Sequence, residues 1–196
     1  LFNTPQTINL LTALPNINRS ITIQGTGANL LTVRRAFNAA TEFNIFNILF
    51  GNTNGIAISS MTITGGNAGS TALGGGIFSQ SHLTLTQVHV TGNLADTGGG
   101  VFLFAGGVID CAFSENVAGD SGGIFFNGTG GRTLRLSSST LSGNRSDSDR
   151  GSAITNVNGR LEVANSTIAN NTANGIHTSG DGNYDTTLRN TIVVNN

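Results

Sequence analysis

Apolar and polar residues alternate with period two through most of the chain, and the alternation comes in matching blocks. In Leu83–Asn93 (LTLTQVHVTGN) the apolar positions are Leu83, Leu85, Val88 and Val90. The same eleven-residue pattern returns in Leu134–Asn144 (LRLSSSTLSGN), Leu161–Asn171 (LEVANSTIANN) and Thr186–Asn196 (TTLRNTIVVNN), and more loosely in Gly106–Asn116 (GGVIDCAFSEN). Ile56–Asn67 (IAISSMTITGGN) fits with one extra residue. Period two puts one set of side chains in a core and the other in solvent, which is the signature of short strands. The closing residues Asn67, Asn93, Asn116, Asn144, Asn171 and Asn196 are 26, 23, 28, 27 and 25 residues apart. A period of that length is one turn of a large solenoid. The pattern predicts an all-β fold, a right-handed parallel β-helix of seven to eight coils. Residues 1–55 form less regular N-terminal coils and residues 56–196 the regular repeats of a single β-helix domain.

Each closing Asn is expected at a corner, where it tolerates left-handed backbone and bonds its amide to the Asn one coil away. Cys111 falls on an inward position that is Val or Ser in other copies, and is read as a small buried residue. A further strand opens at a glycine-rich corner: Gly74-Gly-Gly-Ile77, Gly98-Gly-Gly-Val101, Gly122-Gly-Ile124, Gly151-Ser-Ala-Ile154 and Asn174-Gly-Ile176. The next residue is Phe78, Phe102, Phe125, Thr155 or His177. With Ile77, Val101 and Ile124 inward, Phe78, Phe102 and Phe125 are expected to stack outward as an exposed stripe, a candidate partner surface. The irregular Phe43–Phe50 segment is the alternative cover for that stripe. Phe37, Phe43, Phe46 and Phe50 are expected to fill the wider N-terminal coils.

The GG-x-Ile corners and Phe113-Ser-Glu-Asn116 resemble the GGAI and FxxN motifs of chlamydial polymorphic outer-membrane proteins. With Leu30-Leu31-Thr32-Val33 and Met61-Thr-Ile-Thr-Gly-Gly-Asn67, the whole pattern over residues 7–196 is similar to bacterial surface proteins of right-handed parallel β-helix repeats with a separate C-terminal anchor. The resemblance rests on corners and core, so it speaks to fold before function. It implies export to a bacterial surface, secreted or attached. The chain starts at Leu1 and ends within a repeat, and is read as a fragment of a longer protein.

Composition narrows the partners. Formal net charge is −1, which gives no basic footprint for nucleic acid, and no apolar run is long enough to span a bilayer. One cysteine excludes an internal disulfide framework. The expected partners are other surface proteins, further copies of this chain, or polysaccharide. Five Asn-x-Ser/Thr triplets, at Asn18, Asn127, Asn144, Asn165 and Asn170, are no more than so Asn- and Thr-rich a chain produces by chance.

Candidate chemistry is sparse. The acidic residues scatter over different corners, and Asp96 and Asp120, one coil apart before the glycine corners, come nearest to a carboxylate pair. Glu162 aligns with Arg135 as a surface ion pair. Asp181-Gly-Asn183-Tyr184-Asp185 begins like a calcium loop but has Ile192 where its closing Glu belongs, so no cofactor is assigned and calcium stays a minor alternative. His82, His89 and His177 lie in different coils without metal-ligand spacing. A threonine ladder along Thr84 and Thr86 is broken by Arg135 and Glu162. Insertions concentrate at one corner, in Asn127–Arg132, Asn156–Arg160 and Ser179–Asp185, making Arg132, Arg160, Asp181, Tyr184 and Asp185 candidate ligand-loop residues. The sequence is read as a non-catalytic scaffold, stalk or adhesive passenger. The alternative is a polysaccharide lyase or glycoside hydrolase, which a groove of aligned acids favours.

Overall fold

The computed structural model describes residues 3–49, 55–70, 72–148, 150–181 and 184–196. Among the described residues every regular element is a strand, and the strands stack in parallel as a β-solenoid of about seven turns. A full coil has four sides. Side A carries the Leu-x-Leu stretch, with Thr133–Ser137 over Arg160–Ala164 in the register Leu134↔Leu161 and Leu136↔Val163. Side B follows, with Thr140–Ser142 over Thr167–Ala169. Side C is a short sheet of Leu94–Thr97, Val117–Asp120 and Arg145–Ser146. Side D opens after the glycine corner, with Ile124–Asn127 paired to Ile154–Val157.

The N-terminal region is already coiled: Gln6–Leu10 pairs with Leu31–Arg35, which pairs in turn with Ile56–Thr64 on side B. Phe43 and Phe46 are buried in the core, as expected. Phe37 is not: it is 90% exposed with the Arg34 guanidinium 3.9 Å from its ring centroid. Phe50 lies outside the described residues.

The asparagine ladder forms over five coils. The Nδ2 of Asn93, Asn116, Asn144 and Asn171 donates to the Oδ1 of Asn116, Asn144, Asn171 and Asn196 at 3.0, 2.9, 3.0 and 2.7 Å. Each accepting Oδ1 also takes the backbone N–H of the Asn before it, as in Asn116 N–H to Asn144 Oδ1 at 3.2 Å. Two details correct the sequence reading. Asn67 stands outside the ladder, because the extra residue in its coil moves Gly66 into the slot, and Gly66 N–H donates to Asn93 Oδ1 at 2.9 Å. Asn67 instead binds Glu42, with Nδ2 to Oε1 at 3.3 Å. The left-handed residue is also not the ladder Asn but its predecessor: Gly92, Glu115, Gly143, Asn170 and Asn195 all have φ between 53° and 65°.

A second ladder runs along the inward position at the start of side B. The N–H groups of Cys111 and Ser139 donate to the Oγ of Ser139 and Ser166, both at 3.1 Å, and Val88 N–H reaches Cys111 Sγ at 3.4 Å. Each side chain turns its own proton back two residues: Cys111 to Ile109 O, Ser139 to Ser137 O and Ser166 to Ala164 O. Cys111 is therefore buried as expected, and it fills a hydroxyl's place. Burial pushes its thiol up to about 11, with the Val88 N–H pulling the other way. The folded chain holds this proton where the unfolded chain releases it, so stability from this group is full below the unfolded thiol's pKa of about 8.5 and fades as pH rises toward 11. Iodoacetamide at pH 8 is expected to leave Cys111 unmodified until urea is added. Cys111→Ser should change stability by less than ~1 kcal/mol, because a hydroxyl makes the same two bonds. Rapid alkylation of the native protein would contradict this account.

Candidate functional site

The described residues of the three insertions stack on the edge between sides D and A. Arg160 N–H donates to Arg132 O at 3.0 Å, and Asp185 N–H donates to Gly159 O at 3.1 Å. Arg160 and Asp185 are register partners on adjacent coils. The Arg132 guanidinium sits 5.5 Å from the Phe104 ring centroid, Asp181 N–H donates to Asn158 Oδ1, and Tyr184 is exposed. Asn183 lies outside the described residues, so the D-x-N-x-D stretch is seen only at Asp181, Tyr184 and Asp185. Among the described residues no three His, Cys, Asp or Glu side chains gather as a metal site. Next along side A, Arg135 and Glu162 meet at 3.0 Å, the surface pair their alignment gives.

The Phe column has the expected register and a different environment. Phe78, Phe102 and Phe125 pair across side D, and the Phe102 and Phe125 rings stack at 4.9 Å with 8° between planes. Phe78 follows, tilted, at 5.7 Å. The rings are not an open stripe, however: Phe102 is 4% and Phe125 9% exposed, while Phe78 at the end of the row is half-buried. Each ring shields the face of the next, and Phe104 covers Phe102 edge-on at 5.5 Å. The glycine corner folds back onto the same row. A Cβ on Gly98, at φ 68°, would stand 2.7 Å from Val101 O and 3.2 Å from the Phe102 Cα. Phe43 and Phe46 point into the main core and do not cover the row, although Asn47 lies beside Phe78 at its end. The stripe is a small second core outside the coil, and as a candidate partner surface it is withdrawn.

The acids also move from their expected places. Asp120 pairs with Thr97, so it is offset by one from Asp96 and turns toward the corner, where Arg150 Nη1 binds its Oδ2 at 3.1 Å. Asp96 instead shares a groove of about 350 Å³ on side C with Glu42, Asp147, Asn67 and Arg145. Glycines leave room for two of the carboxylates: a Cβ on Gly69 would meet Glu42 Oε2 at 2.6 Å, and one on Gly119 would meet Asp96 Oδ1 at 3.3 Å. Asp147 lies one coil beyond Gly119, its N–H bonded to Ala118 O, and Arg145 approaches its carboxylate at 3.5 Å. Sequence alignment missed this grouping because Glu42 comes from the irregular region and Asp147 from a coil lengthened by insertion.

Side B presents a face with no charge over five coils. Its core positions Ile63, Val90, Phe113, Leu141 and Ile168 are fully buried. Alternation therefore turns outward Thr62 and Thr64, His89 and Thr91, Ala112 and Ser114, Thr140 and Ser142, and Thr167 and Ala169. Ser114 Oγ donates to Thr91 Oγ1 at 3.0 Å and is 2.9 Å from His89 Nε2. Burial holds the His89 imidazole below its usual pKa, against the opposing pull of Glu115. The T-x-T spacing of Thr62 and Thr64 was the available signal for this face. His82 and His177 stand on other sides.

The corner between sides A and B opens as a groove of about 530 Å³ whose lining includes Ser60, Gln87, His89, Asp110, Ser138 and Thr140, with the Gly27–Asn29 loop at one end. Thr62 Oγ1 ties that loop down by donating to Ala28 O at 2.7 Å. Gln87 Nε2 donates to Asp110 Oδ2 at 3.1 Å across one coil. Comparison with family models, with curated proteins and with solved structures finds no match.

Proposed function

We propose that this chain is a non-catalytic extracellular scaffold, a stalk or adhesive passenger that displays one uncharged, hydroxyl-rich face to polysaccharide or to a neighbouring surface protein. The observation that carries the reading is the side B face, which repeats coil after coil on a rod whose corners are tied by the asparagine ladder. Hydrogen bonds between coils make such a rod stiff, and stiffness suits a part that holds a surface at a distance. Surface display is also what the resemblance of the corner motifs implies. One observation favours the alternative, a polysaccharide-active enzyme: the side C groove brings Glu42, Asp96 and Asp147 together beside Arg145. Asp96 and Asp147 are two coils apart, a Cα separation of ~9.6 Å at ~4.8 Å per coil. Two carboxylates on one groove are the groups that an acid and a base need to cleave a glycosidic bond.

Two measurements separate the readings. Antibody against the chain should label intact source cells, and the purified protein should co-sediment with insoluble polysaccharide without releasing soluble product. Asp96→Asn and Asp147→Asn are expected to leave that binding unchanged. Product release by the wild type that disappears in either variant overturns the scaffold reading in favour of the enzyme, and absence of label on intact cells removes the surface assignment.

A further inference from the structure

We infer that the polar groove at the corner of sides A and B is a binding site for a neutral linear glycan, an inference that names the ligand of the adhesive scaffold proposed above and rests on that reading. The groove follows a column of residues from four successive coils, Ser60, Gln87, Asp110 and Ser138, each in left-handed backbone with φ between 51° and 60°. At ~4.8 Å per coil these side chains offer a hydrogen-bonding group at nearly the advance of one pyranose unit in an extended glycan. They mix donors and acceptors, as hydroxyl recognition requires: amide, carboxylate, hydroxyl and, from side B, the His89 ring.

Charge sets the ligand class. Asp110 is the single formal charge in the lining, and Gln87 already occupies one of its oxygens. No arginine lines the groove to pair with a uronic acid or sulfate, and side B beside it is uncharged from Thr62 to Ala169, its nearest arginine being Arg34 one coil beyond Thr64. The volume of about 530 Å³ falls in the range of small-ligand sites, and the loop at Gly27–Asn29 walls one end, fixing where a bound chain starts. Gln87 adds an independent sign. The same left-handed corner is filled by Asn165 and Asn190 on later coils, residues that take this backbone readily, whereas glutamine does so under strain. The Gln87 amide reaches Asp110 Oδ2 on the next coil, which holds both side chains in the groove lining.

The test is titration of the isotopically labelled protein with cellohexaose, maltohexaose and hexagalacturonate, followed by amide NMR shifts. At least one neutral hexamer should shift Gln87, His89, Asp110 and Thr140 selectively, and hexagalacturonate should not. Gln87→Gly and Asp110→Gly, which both suit the left-handed corner, should each weaken binding at least tenfold with the thermal midpoint retained. Asp110→Asn should keep most of the affinity, and Glu162→Gln on side A should change nothing. Three results overturn the inference: no shift with either neutral hexamer, shifts that map to another side, or preference for hexagalacturonate. A protein that fails this test yet labels cells and co-sediments with polysaccharide remains an adhesive scaffold that binds through another surface.

Discussion

Asn144→Ala is expected to destabilise the protein by ~3–5 kcal/mol, more than any surface substitution of similar size. The side chain is fully buried, and both ends of its amide are used. Oδ1 accepts the Asn116 N–H at 3.2 Å and Asn116 Nδ2 at 2.9 Å, while Nδ2 donates to Phe113 O and Asn171 Oδ1, each at 3.0 Å. Truncation removes these bonds and leaves the Asn116 N–H inside the corner with no acceptor. An orphaned buried group costs about 1–3 kcal/mol, and each lost bond adds ~1 kcal/mol. Asn67→Ala is the internal control. Asn67 closes a copy of the same motif but lies outside the ladder, where its amide bonds Glu42 and the Gly69 N–H, so its loss should cost ~1–2 kcal/mol. The midpoint of urea unfolding distinguishes the two, and equal shifts would mean that the ladder contributes nothing beyond an ordinary surface hydrogen bond.

The contrast between these two asparagines shows how far the sequence could be read. Five of the six motif-closing residues stack as the spacing predicts, because a column repeated every 23 to 28 residues is a covalent record of the coil. The sixth fails through a single added residue, which shifts Gly66 into the slot. Alternation fixed the direction of each side chain on sides A and B, where Leu83, Leu85, Val88 and Val90 are all buried. It cannot say what lies beyond an outward position, and on side D the returning glycine corner buries Phe102, Phe125 and even Thr155. Candidate sites were less legible still, since they depend on neighbours that come from unlike parts of the chain. The side C groove joins Glu42 to Asp147, and the groove between sides A and B needs the Gly27–Asn29 loop, which no repeat copy contains. Arg135 and Glu162 were legible because both belong to the repeat.

Phe102→Ala should lower stability by ~3 kcal/mol, Phe125→Ala by a similar amount, and Phe78→Ala by ~1 kcal/mol. The order follows from position in the row. Phe102 has a ring on each side and a third, Phe104, at its edge, so its removal leaves a cavity lined by aromatic carbon. Phe125 loses its stacked neighbour and its own burial, at 9% exposure. Phe78 already meets solvent on part of its surface, so less is lost. Stacked rings interact directly, and the double variant of Phe102 and Phe125 should therefore depart from additivity by ~0.5–1.5 kcal/mol. Changing all three to Ser puts hydroxyls into a site with few partners, and the regular coils are expected to unfold at much lower urea rather than persist with weaker adhesion. Glycine at the adjoining corner should matter for the same reason. Gly98→Ala adds strain at φ 68° and drives a methyl toward Val101 O, and because the atoms it meets are backbone its cost should be the same in the Phe102→Ala background. The readings are guanidinium midpoints for the single and double variants. Losses below ~0.5 kcal/mol at all three rings would mean that they stand free of the fold, and would restore them as a surface for a partner.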